Sequence, residues 1–214
     1  MDISNKKVYF IGDSITEGHG ASSLKDTSYV ALFQKAYPNA EIINYGVGGT
    51  RIAKKKTPSN IPIYDRDFNL RSLEMKDGAD LVVVFGGVND YLHGDAVLGV
   101  LGDTDEYTFY GATRSLYEKL LNKYPTSRIL IMTPLHCEFE EKPNAQGNVL
   151  KEFVTAIRET AELFSFPVLD LHAISGINPN FGRMKADFMP DGIHPNDAGY
   201  QRIFGLVDGF IKNL

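Results

Sequence analysis

The sequence predicts an α/β fold, a three-layer α/β/α sandwich in which a five-stranded parallel sheet lies between helices. Three observations carry this prediction. Five short apolar runs rich in β-branched or aromatic residues recur along the chain, and the stretches between them show helical periodicity. No repeat, Gly/Ser linker or low-complexity block divides the sequence. Strands that alternate with helices imply parallel pairing with helices on both faces. At 214 residues and 43% hydrophobic content, the chain can bury a sizeable core as one domain spanning 1–214.

The first strand is expected at residues 8–11, Val-Tyr-Phe-Ile. Tyr29, Leu32, Phe33 and Ala36 then repeat at i, i+3, i+4 and i+7, as on one face of a helix. A second strand is expected at 41–45. The third, Leu81-Val82-Val83-Val84-Phe85, is apolar at consecutive positions, as a central strand covered on both faces requires. Leu116, Tyr117, Leu120 and Tyr124 mark the next helix, 128–132 the fourth strand, Phe153, Ile157 and Ala161 another helix, and 167–171 the fifth strand. A closing helix over 197–214 places Ile203, Leu206, Val207, Phe210 and Ile211 on one side. Residues 50–71, with Lys54-Lys55-Lys56, Pro58 and Pro62, and the Gly-rich stretch 94–111 read as long loops.

Charge and composition exclude several function classes. With 22 Lys+Arg against 27 Asp+Glu the net charge is −5, which argues against a dedicated nucleic-acid or anionic-membrane surface. The single cysteine, Cys137, allows neither an internal disulfide nor a Cys-rich zinc site. The chain lacks an apolar run long enough to span a membrane. The apolar stretch at 8–11 is also shorter than the roughly 7–15 residues of a signal-peptide core. A cytoplasmic location is the expectation, and a chain whose leader had been removed would read the same.

In an open α/β sheet, ligands sit beyond the carboxyl ends of the strands, so function is sought in the turns just past each strand. Gly12-Asp13-Ser14 comes after the first, where a tight turn into a helix can present a serine hydroxyl beside free backbone N–H groups. It is not a Gly-x-Ser-x-Gly elbow, because Thr16 stands at the second glycine, and taken alone it reads first as a plain serine cap with polar loop neighbours. Gly46-Val47-Gly48-Gly49 comes after the second strand and can bring backbone donors close to a ligand. Arg51 occupies the third glycine position of a dinucleotide loop. Gly87-Val88-Asn89-Asp90 comes after the third strand and offers the Asn89 amide as a donor, or else a turn cap. Before the last helix, Asp191-Gly192-Ile193-His194-Pro195 sets a carboxylate three residues ahead of an imidazole. Such a carboxylate can bond one ring nitrogen, fix the tautomer and leave the other free as a base.

Together, in this order, these blocks resemble the SGNH hydrolases, also called the GDSL esterase/lipase family, from Gly12 to Pro195. The resemblance implies a flavodoxin-like strand order, a small-molecule ester substrate and no cofactor or metal. It implies Ser14 as nucleophile, His194 as general base and Asp191 as its orienting acid. The oxyanion donors it implies are the N–H groups of Ser14 and Gly49 and the Asn89 amide, with Gly48 as a substitute for Gly49 because Thr50 comes one residue early. Family members act on acetylated sugars, lysophospholipids, acyl thioesters and other small esters, so the motifs do not choose a substrate. The polar and aromatic stretch 91–110, with Asp95, Asp103, Asp105, Glu106, Tyr107 and Tyr110, points toward a short-acyl ester, an O-acetyl group on a small saccharide above others. The absence of tryptophan weighs against an extended polysaccharide platform. The alternatives are a lysophospholipase or acyl-thioesterase and, more remotely, a non-catalytic binding module on this fold.

A metal phosphoesterase built on Asp13, Asp90, Asp191 and His194 is the other rival, against which stands the absence of a His-x-x-x-His pair. Cys137 and His136 point opposite ways on an extended chain, so a buried or loop thiol is expected, with His136 and Cys137 at the pocket rim. Lys54-Lys55-Lys56 reads as solvated loop, and no motif lifts His19, His93 or His172 above surface or loop residues. The oligomeric state is not legible.

Overall fold

The computed structural model describes residues 1–214. In chain order the elements are β1 (Lys7–Gly12), α1 (Ser14–Glu17), α2 (Tyr29–Ala36), β2 (Glu41–Gly46), a 3₁₀ turn (Pro62–Asp65), α3 (Phe68–Glu74), β3 (Leu81–Phe85), α4 (Val88–His93), α5 (Phe109–Lys123), β4 (Arg128–Met132), α6 (Leu150–Leu163), β5 (Val168–Leu169), α7 (Leu171–Ile174), α8 (Gly182–Phe188) and α9 (Asp197–Lys212). All four strand pairings are parallel and the strand order is β2-β1-β3-β4-β5. This is the flavodoxin-like order, whose switch point lies between β1 and β3.

Alternation along the strands divides the core into two layers. Tyr9, Ile11, Val82 and Val84 face α3, α5 and α6 through Phe68, Leu116, Leu120, Phe153 and Ile157. Val8, Phe10, Leu81, Val83 and Phe85 face α2 and α9 through Phe33, Ile203, Val207 and Ile211. Successive side chains of a strand point to opposite faces, so runs such as Leu81–Phe85 must be apolar throughout to fill both layers. Helices α2, α5 and α9 start at side-chain caps: Ser28 Oγ accepts from the Ala31 N–H, Thr108 Oγ1 from Gly111 and Asn196 Oδ1 from Gly199. No helix is long and apolar enough to cross a membrane.

The fifth strand is shorter than the 167–171 expected. Only Val168 and Leu169 pair with β4, because Pro167 has no N–H to give and Asp170 already caps α7 by accepting from the Ala173 N–H at 3.1 Å. In α2, Tyr29 and Phe33 are buried as expected, but Ala36 is exposed and the inner face runs through Val30 instead. The long loops also contain structure: 50–71 holds the 3₁₀ turn and the start of α3, and 94–111 holds a bridge between Val97 and Thr108.

Candidate active site

Register sets the site. Gly12 pairs with both Gly46 and Phe85, so β1, β2 and β3 end level and the loops after them leave the sheet together. Ser14, the first residue of α1, is 6% exposed, and its Oγ lies 2.9 Å from His194 Nε2. The His194 Nδ1 lies 2.7 Å from Asp191 Oδ2, while Asp191 Oδ1 accepts the N–H groups of Ile193 at 2.8 Å and His194 at 2.7 Å. Partial burial acts to raise the Asp191 pKa, but those N–H groups and the imidazole outweigh it and hold the carboxyl below its ordinary value. The carboxylate thus fixes the ring through one nitrogen and leaves the other directed at the serine.

The donors converge from the neighbouring loops. Asn89 is buried in the first turn of α4 and its amide donates to the Thr50 carbonyl at 3.1 Å, which spends one of its two N–H groups. The Gly48 N–H donates to Glu17 Oε2 at 2.7 Å, whereas the Gly49 N–H makes no such bond. Of the two glycines left open by the sequence, Gly49 is therefore the one with a free donor. Its φ of 73° is left-handed, and a Cβ there would lie 2.6 Å from the Tyr64 ring, so the position admits only glycine. The Ser14 N–H, at the first position of α1, has no intrahelical partner either.

Ser14, Gly48, Gly49, Asn89 and His194 line one cavity of about 550 Å³, and Asp191 stands behind His194. Glu17, His19, Arg51, Lys55, Tyr64 and His93 also stand in its wall. Of these, the sequence places Lys55 in solvent and His19 and His93 among surface or loop residues. No motif marks them, and only the fold shows that the 50–71 loop returns over the site. Of the 91–110 stretch only His93 reaches the cavity, and the acidic and aromatic residues expected at its rim do not. Asp95 accepts the Lys56 and Thr57 N–H groups, Glu106 pairs with Lys54 and Lys119, and the Tyr110 hydroxyl donates to Glu159, all away from the cavity.

Of the three aspartates considered as metal ligands, Asp191 is bonded to His194, and the other two are committed to backbone N–H groups. Asp13 Oδ1 accepts the Ile15 N–H at 3.0 Å, and Asp90 accepts Ile52 at 3.0 Å and Ala53 at 2.8 Å. Burial raises Asp13 to about 6, opposed by the Ile15 N–H, His194 and Arg71, and raises Asp90 to about 7, opposed by Ala53, Ile52 and Arg51. Of the buried and loop alternatives for Cys137, the thiol is buried, and burial pushes it up to about 12. Neither Cys137 nor His136 is at the rim of the Ser14 site, and His136 lines a separate cavity.

Several solved structures share this architecture. A protein from Lactobacillus plantarum is 28% identical with a TM-score of 0.85, covering 99% of each chain. A possible lipase from Chitinophaga pinensis is 22% identical with a TM-score of 0.73, covering 97% of this chain and 98% of that one. An acetyl xylan esterase is 23% identical with a TM-score of 0.62, covering 96% and 99%. No curated protein matches the sequence. The GDSL-like lipase/acylhydrolase family matches residues 10–202, nearly the whole span that builds the site, and the chain belongs to that family.

Proposed function

We propose that this esterase works through Ser14, His194 and Asp191, with the Ser14 and Gly49 N–H groups and the Asn89 amide as oxyanion donors. The observation that carries the reading is the unbroken relay from Ser14 Oγ to His194 Nε2 at 2.9 Å and from His194 Nδ1 to Asp191 Oδ2 at 2.7 Å. A serine hydroxyl is a weak nucleophile near neutral pH. His194 Nε2 takes its proton as Oγ bonds to the ester carbonyl carbon, and Asp191 stabilises the imidazolium so formed. The carbonyl oxygen becomes an oxyanion held by the three donors. As it collapses, the carbon–alkoxy bond breaks and the departing alcohol takes the proton from His194. Water then repeats the sequence on the acyl-serine, releasing the acid.

For substrate we propose a short acyl ester of a small polar alcohol, of which an O-acetylated saccharide is the prime example. Support comes from the wall of the cavity, where Val47, Ile63 and Tyr64 are the apolar members and the rest is polar, charged or glycine. A long acyl chain needs a continuous apolar channel, while hydroxyl groups find partners in Glu17, His19 and Ser59. The likeness to an acetyl xylan esterase is one of fold and agrees with this reading without deciding it. The test pairs a serine-reactive phosphonate with a panel of acetylated sugars, graded acyl chain lengths and a thioester, with Ser14→Ala as the blank. One phosphonate equivalent on Ser14 and a preference for acetyl esters are expected. Labelling elsewhere would overturn the residue assignment, and a rate peak at long acyl chains would overturn the substrate.

A further inference from the structure

His136, Glu140 and His172 come together from the loop after β4 and from α7, on the β5 side of the sheet and outside the Ser14 cavity. His136 and Glu140 lie beyond β4, and His172 lies in α7 just after β5. Glu140 Oε1 is 2.6 Å from His136 Nδ1, Glu140 Oε2 is 3.5 Å from His172 Nε2, and the two imidazole centroids are 3.7 Å apart. One ligand atom from each residue falls within 4.8 Å of the others. The side chains are only 21%, 12% and 10% exposed for His136, Glu140 and His172. A second, independent feature points to a ligand: His172 Nε2 is buried without a hydrogen-bond partner, its 3.5 Å contact with Glu140 being too long for a good one. Buried ring nitrogens are rarely left this way.

We propose that these three residues form a binding site for one divalent transition-metal ion of the Zn²⁺ class. Two imidazole nitrogens and one carboxylate oxygen suit Zn²⁺, Co²⁺ or Ni²⁺ and not Mg²⁺ or Ca²⁺, which take oxygen ligands. Metal–ligand bonds of about 2.0–2.2 Å at tetrahedral angles place donors about 3.3–3.6 Å apart. Atoms spread over as much as 4.8 Å therefore have to draw together on binding, by side-chain rotation and a small shift of the loop after β4. The ligands open on a cavity of about 780 Å³ that shares no residue with the Ser14 cavity, so water can complete the coordination. A mechanical link to the esterase site exists nonetheless. Between His136 and Glu140, the Glu138 N–H donates at 2.7 Å to the carbonyl of Gly192, inside the turn that carries Asp191 and His194. An ion that tied β4's loop to α7 would brace that turn from behind, a structural role independent of the reaction assigned to Ser14.

The test is calorimetric titration of the full chain, stripped with chelator, with Zn²⁺ and with Co²⁺. One equivalent is expected to bind, with visible d–d absorption for Co²⁺ and a melting temperature that rises with added Zn²⁺. His172→Asn and Glu140→Gln should each weaken binding by more than the roughly 10–100-fold typical of losing an outer-shell partner, while His19→Asn and His93→Asn leave it intact. Circular dichroism of the metal-free variants confirms that they are folded. Absence of saturable binding, or binding that survives both His172→Asn and Glu140→Gln, would overturn the site. Binding lost in His19→Asn instead would place the ion at the Ser14 cavity and equally overturn it.

Discussion

Replacing Asn89 by alanine separates the oxyanion role from mere packing. The Asn89 amide has two N–H groups, one held by the Thr50 carbonyl at 3.1 Å, and the residue lines the same cavity as Ser14 and Gly49. Removing one oxyanion donor raises a barrier by roughly 2.7–4 kcal/mol, so kcat on a chromogenic acetyl ester should fall about 10²–10³-fold. The stability effect is separate. The buried Thr50 carbonyl loses its Asn89 donor, a loss of about 1–3 kcal/mol, which lowers the melting temperature but leaves a domain of ordinary stability folded at 25 °C. KM should change little, because the donor acts on charge that exists only in the transition state. Phosphonate labelling of Ser14 should slow in parallel, since that adduct also carries a charged oxygen. Asn89→Asp should lose at least as much, placing an acceptor where a donor is needed. A folded Asn89→Ala enzyme with kcat within threefold of the parent would refute the oxyanion assignment.

Three more outcomes rest on the same geometry. Asp191→Asn should lower kcat by less than the roughly 10⁴-fold seen where a triad carboxylate is fully buried, because the Asp191 side chain is 55% exposed and its charge is screened; a loss beyond that value would contradict this. Gly49→Ala should damage kcat/KM and melting temperature more than Gly48→Ala, since its Cβ meets the Tyr64 ring at 2.6 Å in a left-handed backbone, while at Gly48 it meets the movable end of Glu17 at 2.9 Å; the reverse ranking counts against the strain argument. The raised values of Asp13, about 6, and Asp90, about 7, against an ordinary 3.8 mean that the native chain binds more protons than the unfolded one between about pH 4 and 7. Stability from these groups is then present at the acid end and declines as pH rises through that window. Melting curves from pH 5 to 8 should show the parent losing stability relative to Asp90→Asn, and parallel curves would sink the inference.

The fold was legible because its signal is periodic. Strands buried on both faces read as continuous apolar runs, and α5, α6 and α9 repeat apolar residues at helical spacing. Elements of one turn, such as α1, α4 and α7, are too short to show a period, and local caps decide them: Asp13 for α1 and Asp170 for α7. The residues proposed for chemistry were legible for a different reason, since each sits in a glycine-marked turn just beyond a strand or before the last helix. The wall of the cavity was not. Arg51, Lys55 and Tyr64 reach it because the 50–71 loop folds back. That path is set by contacts distant in sequence, such as the Ile52 and Ala53 N–H groups on Asp90. The His136, Glu140 and His172 cluster escaped for the same reason, its third member arriving from another strand.

Those contacts explain why the aspartates in the motifs are buried despite the energetic penalty. Asp13 closes the turn that presents Ser14, through the Ile15 N–H. Asp90, one residue beyond Asn89, grips the backbone at 52 and 53 and so fixes the loop that carries Gly49 and Thr50. Arg71 completes the frame by donating to the carbonyls of Gly12 and Tyr45, at the ends of β1 and β2. Each of these two turns thus pairs a residue facing the cavity with a neighbour that ties the turn to the scaffold: Asp13 with Ser14, Asp90 with Asn89. A site that works by preorganised donors needs both kinds, because a donor free to relax gains little over water. Burial that raises Asp13 and Asp90 is the cost of holding those turns in place, which is why the pH dependence of stability and the kinetics of Asn89 variants report on one structural device.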